Sequence, residues 1–445
     1  MSFYGDNLDR IRFMTQFYGF FSMSPVNNLH NRTLSQDGKG LGFAPEGTRA
    51  VDVSDLEWNI LREDVSLPVA VLSDERIEHN LTWMESFMGT YNVKLAPHGK
   101  TTMSPALFHK QLDHGAWGIT LATAPQVQAA YIHGVRRIIL ANQLVGRANM
   151  AIISRLQNDP AFEFFCIVDS VANIDQLGQY FANSHQKLKV LIELGVPGGR
   201  TGTRDDADEA KLLDAIKRWP QSLVLVGIEV YEGVLKEEQT IRTFLRLAAQ
   251  KMKFLHSNNY LGDTTSILTG AGSAWFDVVA EEWSGLDIGR PLDIILRPGC
   301  YLTHDVGIYK ASETRIHASN KVARQMQTSL LPALQLWAYV QSLPEPGLAI
   351  IALGKRDAAF DAGLPIPAFR YTPGSAAPLP ASSEWQLTKL MDQHAFMNVE
   401  LDSDLKVGDM IAFDISHPCL TFDKWRQLLI VNKSFDVVEV VETFF

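Results

Sequence analysis

The chain has 445 residues, about three times the ~150-residue prior for one domain, so a single small binding module is excluded. Hydrophobic residues make up 46% and charged residues 20%, with a mean hydropathy of −0.03, the balance of a globular protein with a sizeable core. Forty Lys+Arg against fifty Asp+Glu leave a net charge of −10, which argues against a nucleic-acid or anionic-membrane partner and for small molecules or further copies of the chain.

Taken in chain order, the opening MSFYGDNLDRIRFMTQFYGFF mixes acids, bases and aromatics without the basic start and clean apolar run of a signal peptide. The cysteines Cys166, Cys300 and Cys419 are too few for a disulfide framework. Together these lead us to expect a cytoplasmic location. LPVAVL from Leu67 is an early strand candidate, separate from the later runs. From Val93 to Pro298 one alternation repeats, an aliphatic run and then an amphipathic stretch. The runs are VKLAP (Val93), GITLA (Gly118), RIILAN (Arg137), FEFFCIVD (Phe162), KVLIELG (Lys189), LVLVGIEV (Leu223), SILTGAG (Ser266) and DIILRPG (Asp293). Eight such units are the count of a (β/α)8 barrel, with a doubly wound sheet as the alternative. After Val306 the runs LAIIALG, DMIAFDI and VVEVVETFF predict a mostly β domain, and residues 369–385 read as a surface loop. The expected division is 1–74 as an N-terminal extension joining the β domain, 75–305 as the barrel and 306–445 as the β domain.

Barrel chemistry gathers at the C-terminal ends of the strands. The first run ends in His98-Gly99-Lys100-Thr101, which places a lysine beside a histidine just past a buried strand. Such a lysine can act as a Schiff-base nucleophile or general base. Thr269-Gly270-Ala271-Gly272-Ser273 leads into a helix and offers backbone N–H groups to a phosphate. Arg297-Pro298-Gly299-Cys300-Tyr301 ends the eighth run with a glycine for close approach and a tyrosine hydroxyl. Phosphate sites after the last two barrel strands recur in this architecture, so the combination points to pyridoxal phosphate. In the tail, His417 and Cys419 stand two apart, so an extended segment turns both side chains the same way and can chelate zinc. Cys166 reads as a small core residue, and His109, His114 and His133 as helix-face residues.

The stretch LPVAVLSDERIEHNL…VKLAPHGKTTMSP resembles the start of the fold-type III pyridoxal-phosphate enzymes of the D-serine dehydratase and D-threonine aldolase family. Pro97, His98, Lys100 and Thr101 match its lysine turn, with Ala96 where the family usually has arginine. Arg200-Thr201-Gly202, Tyr231-Glu232-Gly233, Gly270 to Ser273, Leu296 to Gly299 with Tyr301 and Asp305, and His417-x-Cys419 extend the likeness to the C-terminus. The resemblance implies an alanine-racemase-like barrel with a β domain, a homodimer, and Lys100 in Schiff-base linkage with pyridoxal phosphate. It further implies Arg200 at the pyridine nitrogen, Tyr231 lining the cofactor, Gly270, Ala271, Gly272, Ser273, Gly299 and Tyr301 around the phosphate, and His417 and Cys419 as Zn2+ ligands. The spacing from Glu193 to Arg200 is longer than the family's.

His-x-Cys is similar to the dehydratase form, since the aldolases usually carry His-x-Asp, and thiolate favours zinc. The expectation is therefore a lyase that removes water from a D-3-hydroxyamino acid such as D-serine, giving pyruvate and ammonia, with Lys100 and His98 as catalytic residues. Retro-aldol cleavage of D-threonine, hydroxyaspartate dehydration and a non-enzymatic cofactor carrier are the alternatives.

Overall fold

The computed structural model describes Leu29 and residues 31–445. The opening segment on which the absence of a signal peptide was read lies outside the described residues. Among them, no helix is long and apolar enough to cross a membrane.

The chain first forms β1 (Val69–Ser73) and the helix α1 (Asp74–Tyr91), whose N-terminus is capped by the Ser73 hydroxyl accepting from the Arg76 N–H. The barrel comes next: β2 (Lys94–Leu95), β3 (Ile119–Leu121), β4 (Arg137–Gln143), β5 (Glu163–Val168), β6 (Leu188–Leu194), β7 (Leu223–Val230), β8 (Ser266–Gly270) and β9 (Leu292–Leu296). Every strand run expected from the sequence is present, and the strands pair in parallel in the order β2-β9-β8-β7-β6-β5-β4-β3. The ends of that ladder meet: the Trp117 N–H donates to the Leu95 carbonyl at 2.7 Å and the Thr120 N–H to the Pro97 carbonyl at 2.9 Å. The sheet therefore curls into a ring, and the doubly wound alternative is excluded.

Alternation along each strand divides two cores. Ala96, Ile139, Phe165, Ile167, Leu191, Val226, Ile267 and Ile295 fill the inside of the ring. Their neighbours, such as Ile138, Phe164, Cys166 and Val190, pack outward against the helices. This is why the strands read as unbroken apolar runs: they are buried on both faces. Cys166 is a core residue, as expected.

The second sheet is built from β1 and nine later strands: β10 (Leu334–Glu345), β11 (Leu348–Ile351), β12 (Ile366–Tyr371), β13 (Leu379–Pro380), β14 (Gln386–Leu390), β15 (Ala395–Asn398), β16 (Met410–Asp414), β17 (Gln427–Val431) and β18 (Val437–Glu442). β1 lies between β10 and β17, so the strand preceding the barrel belongs to this sheet. Ala70 and Leu72 join the large core shared with the barrel, whereas Val69 and Val71 face the other way. That outer face is covered by Leu34, Leu41, Val53, Trp58, Ile60 and Val65 of the N-terminal extension.

Two expectations need correction. Residues 369–385 are not one loop: Phe369–Tyr371 belongs to β12 and Leu379–Pro380 pairs back onto it, leaving a short exposed tip. The tail after Val306 also opens with helices at Lys310–Ser319 and Lys321–Gln325 before the strands begin. KASETRIHAS buries only Glu313 and Ile316, so it carries too little apolar periodicity to announce a helix.

Candidate active site

The C-terminal ends of the barrel strands surround a cavity of about 200 Å³. Beyond β2 the chain makes a single tight turn, Gly99–Thr101, which presents Lys100 to that cavity. The turn is pressed against the end of β9. A Cβ added to Gly299 would stand 2.5 Å from the His98 carbonyl oxygen and 2.8 Å from Thr101 Oγ1, so only glycine allows this approach.

Three cations face the space: Lys100, Arg200 and Arg297. Among the described residues, Lys100 and Arg200 have no carboxylate partner, and the Arg200 guanidinium lies 4.9 Å over the Tyr231 ring. Arg297 is buried and ion-paired with Glu229, and it also donates to Thr269 Oγ1 at 3.1 Å. Burial first, and then the charges of Lys100, Arg297 and Arg200, hold the His98 imidazole well below its usual pKa, so it is neutral. Its Nδ1 is buried without a hydrogen-bond partner.

The β8 loop differs from its expected form in one respect. The N–H groups of Ala271 and Gly272 donate to the two carboxylate oxygens of Glu232, at 3.0 and 2.7 Å. Ala271 has a left-handed backbone, φ 76°, and that pair of N–H groups forms an anion-binding nest already filled by the protein's own carboxylate. Ser273 Oγ accepts from the N–H groups of Gly299 and Cys300, at 3.2 and 3.1 Å. The hydroxyl of Ser273 and the amides next to it are thus the part of the loop that faces β9.

On the opposite wall, the barrel meets the β domain. Cys419 lines the cavity, with its Sγ 3.6 Å from Cys300 Sγ and 3.4 Å from Thr101 Oγ1. The His417 Nδ1 lies 2.7 Å from Asp361 Oδ2. The neighbouring Cys419 first, and then Asp361, raise the His417 pKa to about 9. Its closeness to Cys300, His417 and Thr101 holds the Cys419 thiol well below the usual range, against burial. A third His, Cys, Asp or Glu does not join the pair in a metal-holding group among the described residues. The donors amount to one imidazole and one thiolate, which leaves positions for water or substrate.

His98, Lys100, Arg200, Tyr231, Ala271, Gly272, Ser273, Gly299 and Cys419 all line the cavity, and His417 stands behind Cys419. Two expected residues are placed elsewhere. Gly270 ends β8 with its Cα beside Trp283, and Tyr301 is buried with its hydroxyl on Gln111. Tyr309 and Asn142 also line the cavity and were not singled out from the sequence, whereas Arg297 and Thr101 belong to matched segments that were given no role of their own, and Asp361, weighed as a substrate contact, pairs instead with His417. Arg297 had a signal in its position just past an apolar strand. Tyr309, which lines the cavity, had none.

A lysine and two arginines at the C-terminal mouth of a closed parallel barrel, beside a neutral histidine and a tyrosine face, define an enzyme site for an anionic aromatic cofactor. Residues 72–291 match the "Alanine racemase, N-terminal domain" family and residues 333–431 the "Putative serine dehydratase domain" family. The chain is 26% identical over 376 residues to a D-threonine aldolase of Arthrobacter sp, covering 83% of this chain and 89% of that one. It is 31% identical over 187 residues to a D-threo-3-hydroxyaspartate dehydratase of Delftia sp. (strain HT23), 41% of this chain and 48% of that one. A metal-free cysteine-to-alanine mutant of a D-threo-3-hydroxyaspartate dehydratase has the same fold, with a TM-score of 0.66 at 19% identity over 87% of this chain and 99% of that one. The chain belongs to the fold-type III pyridoxal-phosphate enzymes, in the lyase family that holds these aldolases and dehydratases.

The residues present fit pyridoxal phosphate. Lys100 and Arg200 line the cavity without a carboxylate partner among the described residues, and the buried Nδ1 of His98 is a polar atom still wanting a partner.

Proposed function

We propose that the protein is a zinc-assisted dehydratase of D-3-hydroxyamino acids, with D-serine as the first candidate substrate and D-threo-3-hydroxyaspartate the second. The observation that carries this reading is Cys419 in the wall of the lysine cavity, with His417 two residues before it. An N and S donor pair with open positions suits zinc, and supplies a Lewis acid where a β-hydroxyl would leave. The metal-free form of a cysteine mutant in the related dehydratase supports giving Cys419 this part.

Pyridoxal phosphate held on Lys100 supplies the electron sink for loss of the Cα proton. Lys100, the one lysine among the described residues that lines the cavity, would hold the cofactor and serve as the base for that proton. Arg200, which lies over the Tyr231 ring at the face of the cavity, would meet the ring nitrogen. The Ser273 hydroxyl, which accepts from the Gly299 and Cys300 amides, would be the loop's donor to a phosphate, because the Ala271 and Gly272 amides are occupied by Glu232. His98, kept neutral by the cations, packs beside Lys100 without adding charge. Loss of water followed by hydrolysis turns D-serine into pyruvate and ammonia.

D-Threonine separates this reading from retro-aldol cleavage, which the likeness to D-threonine aldolase also favours. Release of 2-oxobutyrate and ammonia supports the dehydratase, whereas glycine and acetaldehyde overturn it. Comparing D-serine with D-threo-3-hydroxyaspartate in the same assay ranks the two substrates. We propose in addition that the protein is a homodimer acting in the cytoplasm on a small D-amino acid; light scattering of purified protein tests the dimer.

A further inference from the structure

Cys300 and Cys419 come from elements 119 residues apart, the turn after β9 and the short helix Cys419–Phe422, yet their sulfurs stand 3.6 Å from each other. That is thiol contact distance, within side-chain rotation of the ~2.05 Å S–S bond. Both cysteines are free and both line the cavity, so a small polar oxidant that enters it meets them together. Cys419 Sγ donates to Thr101 Oγ1 at 3.4 Å, and Thr101 Oγ1 stands 3.7 Å from Cys300 Sγ, so one hydroxyl holds the two sulfurs side by side. Once one of them is oxidised, the other stands in place as the resolving thiol. Cys166, the remaining cysteine, is shut in the barrel core.

We infer that Cys300 and Cys419 form a peroxide-reactive dithiol, in which oxidation joins the two sulfurs and withdraws Cys419 from metal binding. The Cys419 sulfur attacks one oxygen of hydrogen peroxide, the O–O bond breaks, and a sulfenic acid and one water result. The Cys300 sulfur then displaces the sulfenic hydroxyl, which leaves as the second water and takes up the proton of the Cys300 thiol. Two thiols are oxidised, one peroxide is reduced, and a thiol reductant reverses the change. A zinc ion on His417 and Cys419 holds the attacking lone pair, so metal and cross-link exclude one another. This last part rests on the assignment of Cys419 as a metal ligand; the cross-link itself does not.

The test uses the pyridoxal-phosphate-loaded protein, stripped of metal by chelation or reloaded with zinc, and treated with hydrogen peroxide. In the stripped protein, the thiols titratable under denaturing conditions should fall from three to one, and peptide mapping should find a Cys300–Cys419 link that dithiothreitol removes. Zinc should slow this at least tenfold. In Cys300→Ser the link is lost, and a sulfenic acid on Cys419 becomes trappable by dimedone. The absence of the 300–419 link in stripped wild-type protein overturns the proposal, as does dimedone capture at Cys166 in place of Cys419. A link that forms equally fast with and without zinc leaves the dithiol standing and removes Cys419 from the metal site.

Discussion

Arg297 is the cation whose removal has the most calculable consequence. Its side chain is 4% exposed and that of its partner Glu229 is 1% exposed. It donates to Glu229 Oε1, to the Val230 carbonyl at 3.2 Å and to Thr269 Oγ1 at 3.1 Å, while Glu229 Oε2 is buried without a hydrogen-bond partner. Arg297→Met therefore leaves a buried carboxylate with nothing to offset its desolvation, at a cost of about 3–5 kcal/mol. The pH dependence comes from the direction of the Glu229 shift. Burial already raises its pKa, against the pull of Arg297, and loss of Arg297 raises it further. The folded variant then holds a proton that the unfolded chain releases, so its stability is lost as pH rises from the unfolded value, about 4.3, through the higher folded one. The penalty should be large at pH 8 and shrink towards pH 5, and Glu229→Gln in the same chain should recover most of it. Urea unfolding of cofactor-free wild type, single and double variants at both pH values measures this, free of ligand linkage. A penalty under about 1 kcal/mol at pH 8, or one equal at the two pH values, would refute the uncompensated-charge argument.

Asp361→Asn removes the charged partner of His417 Nδ1 and should weaken zinc binding about 10–100-fold in a chelator competition, with Asp361→Glu milder. Glu232→Ala leaves the buried Ala271 amide without its acceptor, at a cost of about 1–3 kcal/mol, and frees the half-buried Gly272 amide. It should lower affinity for pyridoxal phosphate by equilibrium dialysis more than affinity for pyridoxal, because the loop beside the phosphate seat is what moves. Glu193 is buried beneath the cavity between Thr201 and Gln143, and burial, with help from Glu229, raises its pKa to about 7. Its folded value lies above its unfolded one, so it favours the fold fully below the unfolded value and loses that contribution as pH climbs to about 7. Glu193→Gln should accordingly raise the urea midpoint at pH 8 and change it little near pH 5, for a gain of about 1–3 kcal/mol at the higher pH.

The barrel was legible because each of its strands is buried on both faces and therefore carries its own apolar signature, from VKLAP to DIILRPG. Lys100 was legible because it sits at a strand end. The His417-x-Cys419 spacing was read as extended, whereas Pro418 has helical dihedrals and Cys419 opens the short helix Cys419–Phe422, so the local spacing did not give the pair's geometry. The loop after β8 was found by its small residues, but its chemistry was not, because Glu232 fills its amides from another strand end.

What the sequence determined by itself, then, was the run of elements, the acidic and cysteine-poor composition, and the residue types waiting at the strand ends. Tertiary structure decided which of them meet. Glu229 reaches Arg297 across 68 residues, Asp361 reaches His417 across 56, and Cys300 reaches Cys419 across 119. It also laid the N-terminal extension over the outer face of a sheet assembled from both ends of the chain. The physical reason is that an apolar run declares its own burial, whereas a buried charge or thiol is defined by a partner that only ring closure and the docking of the β domain bring within hydrogen-bond range.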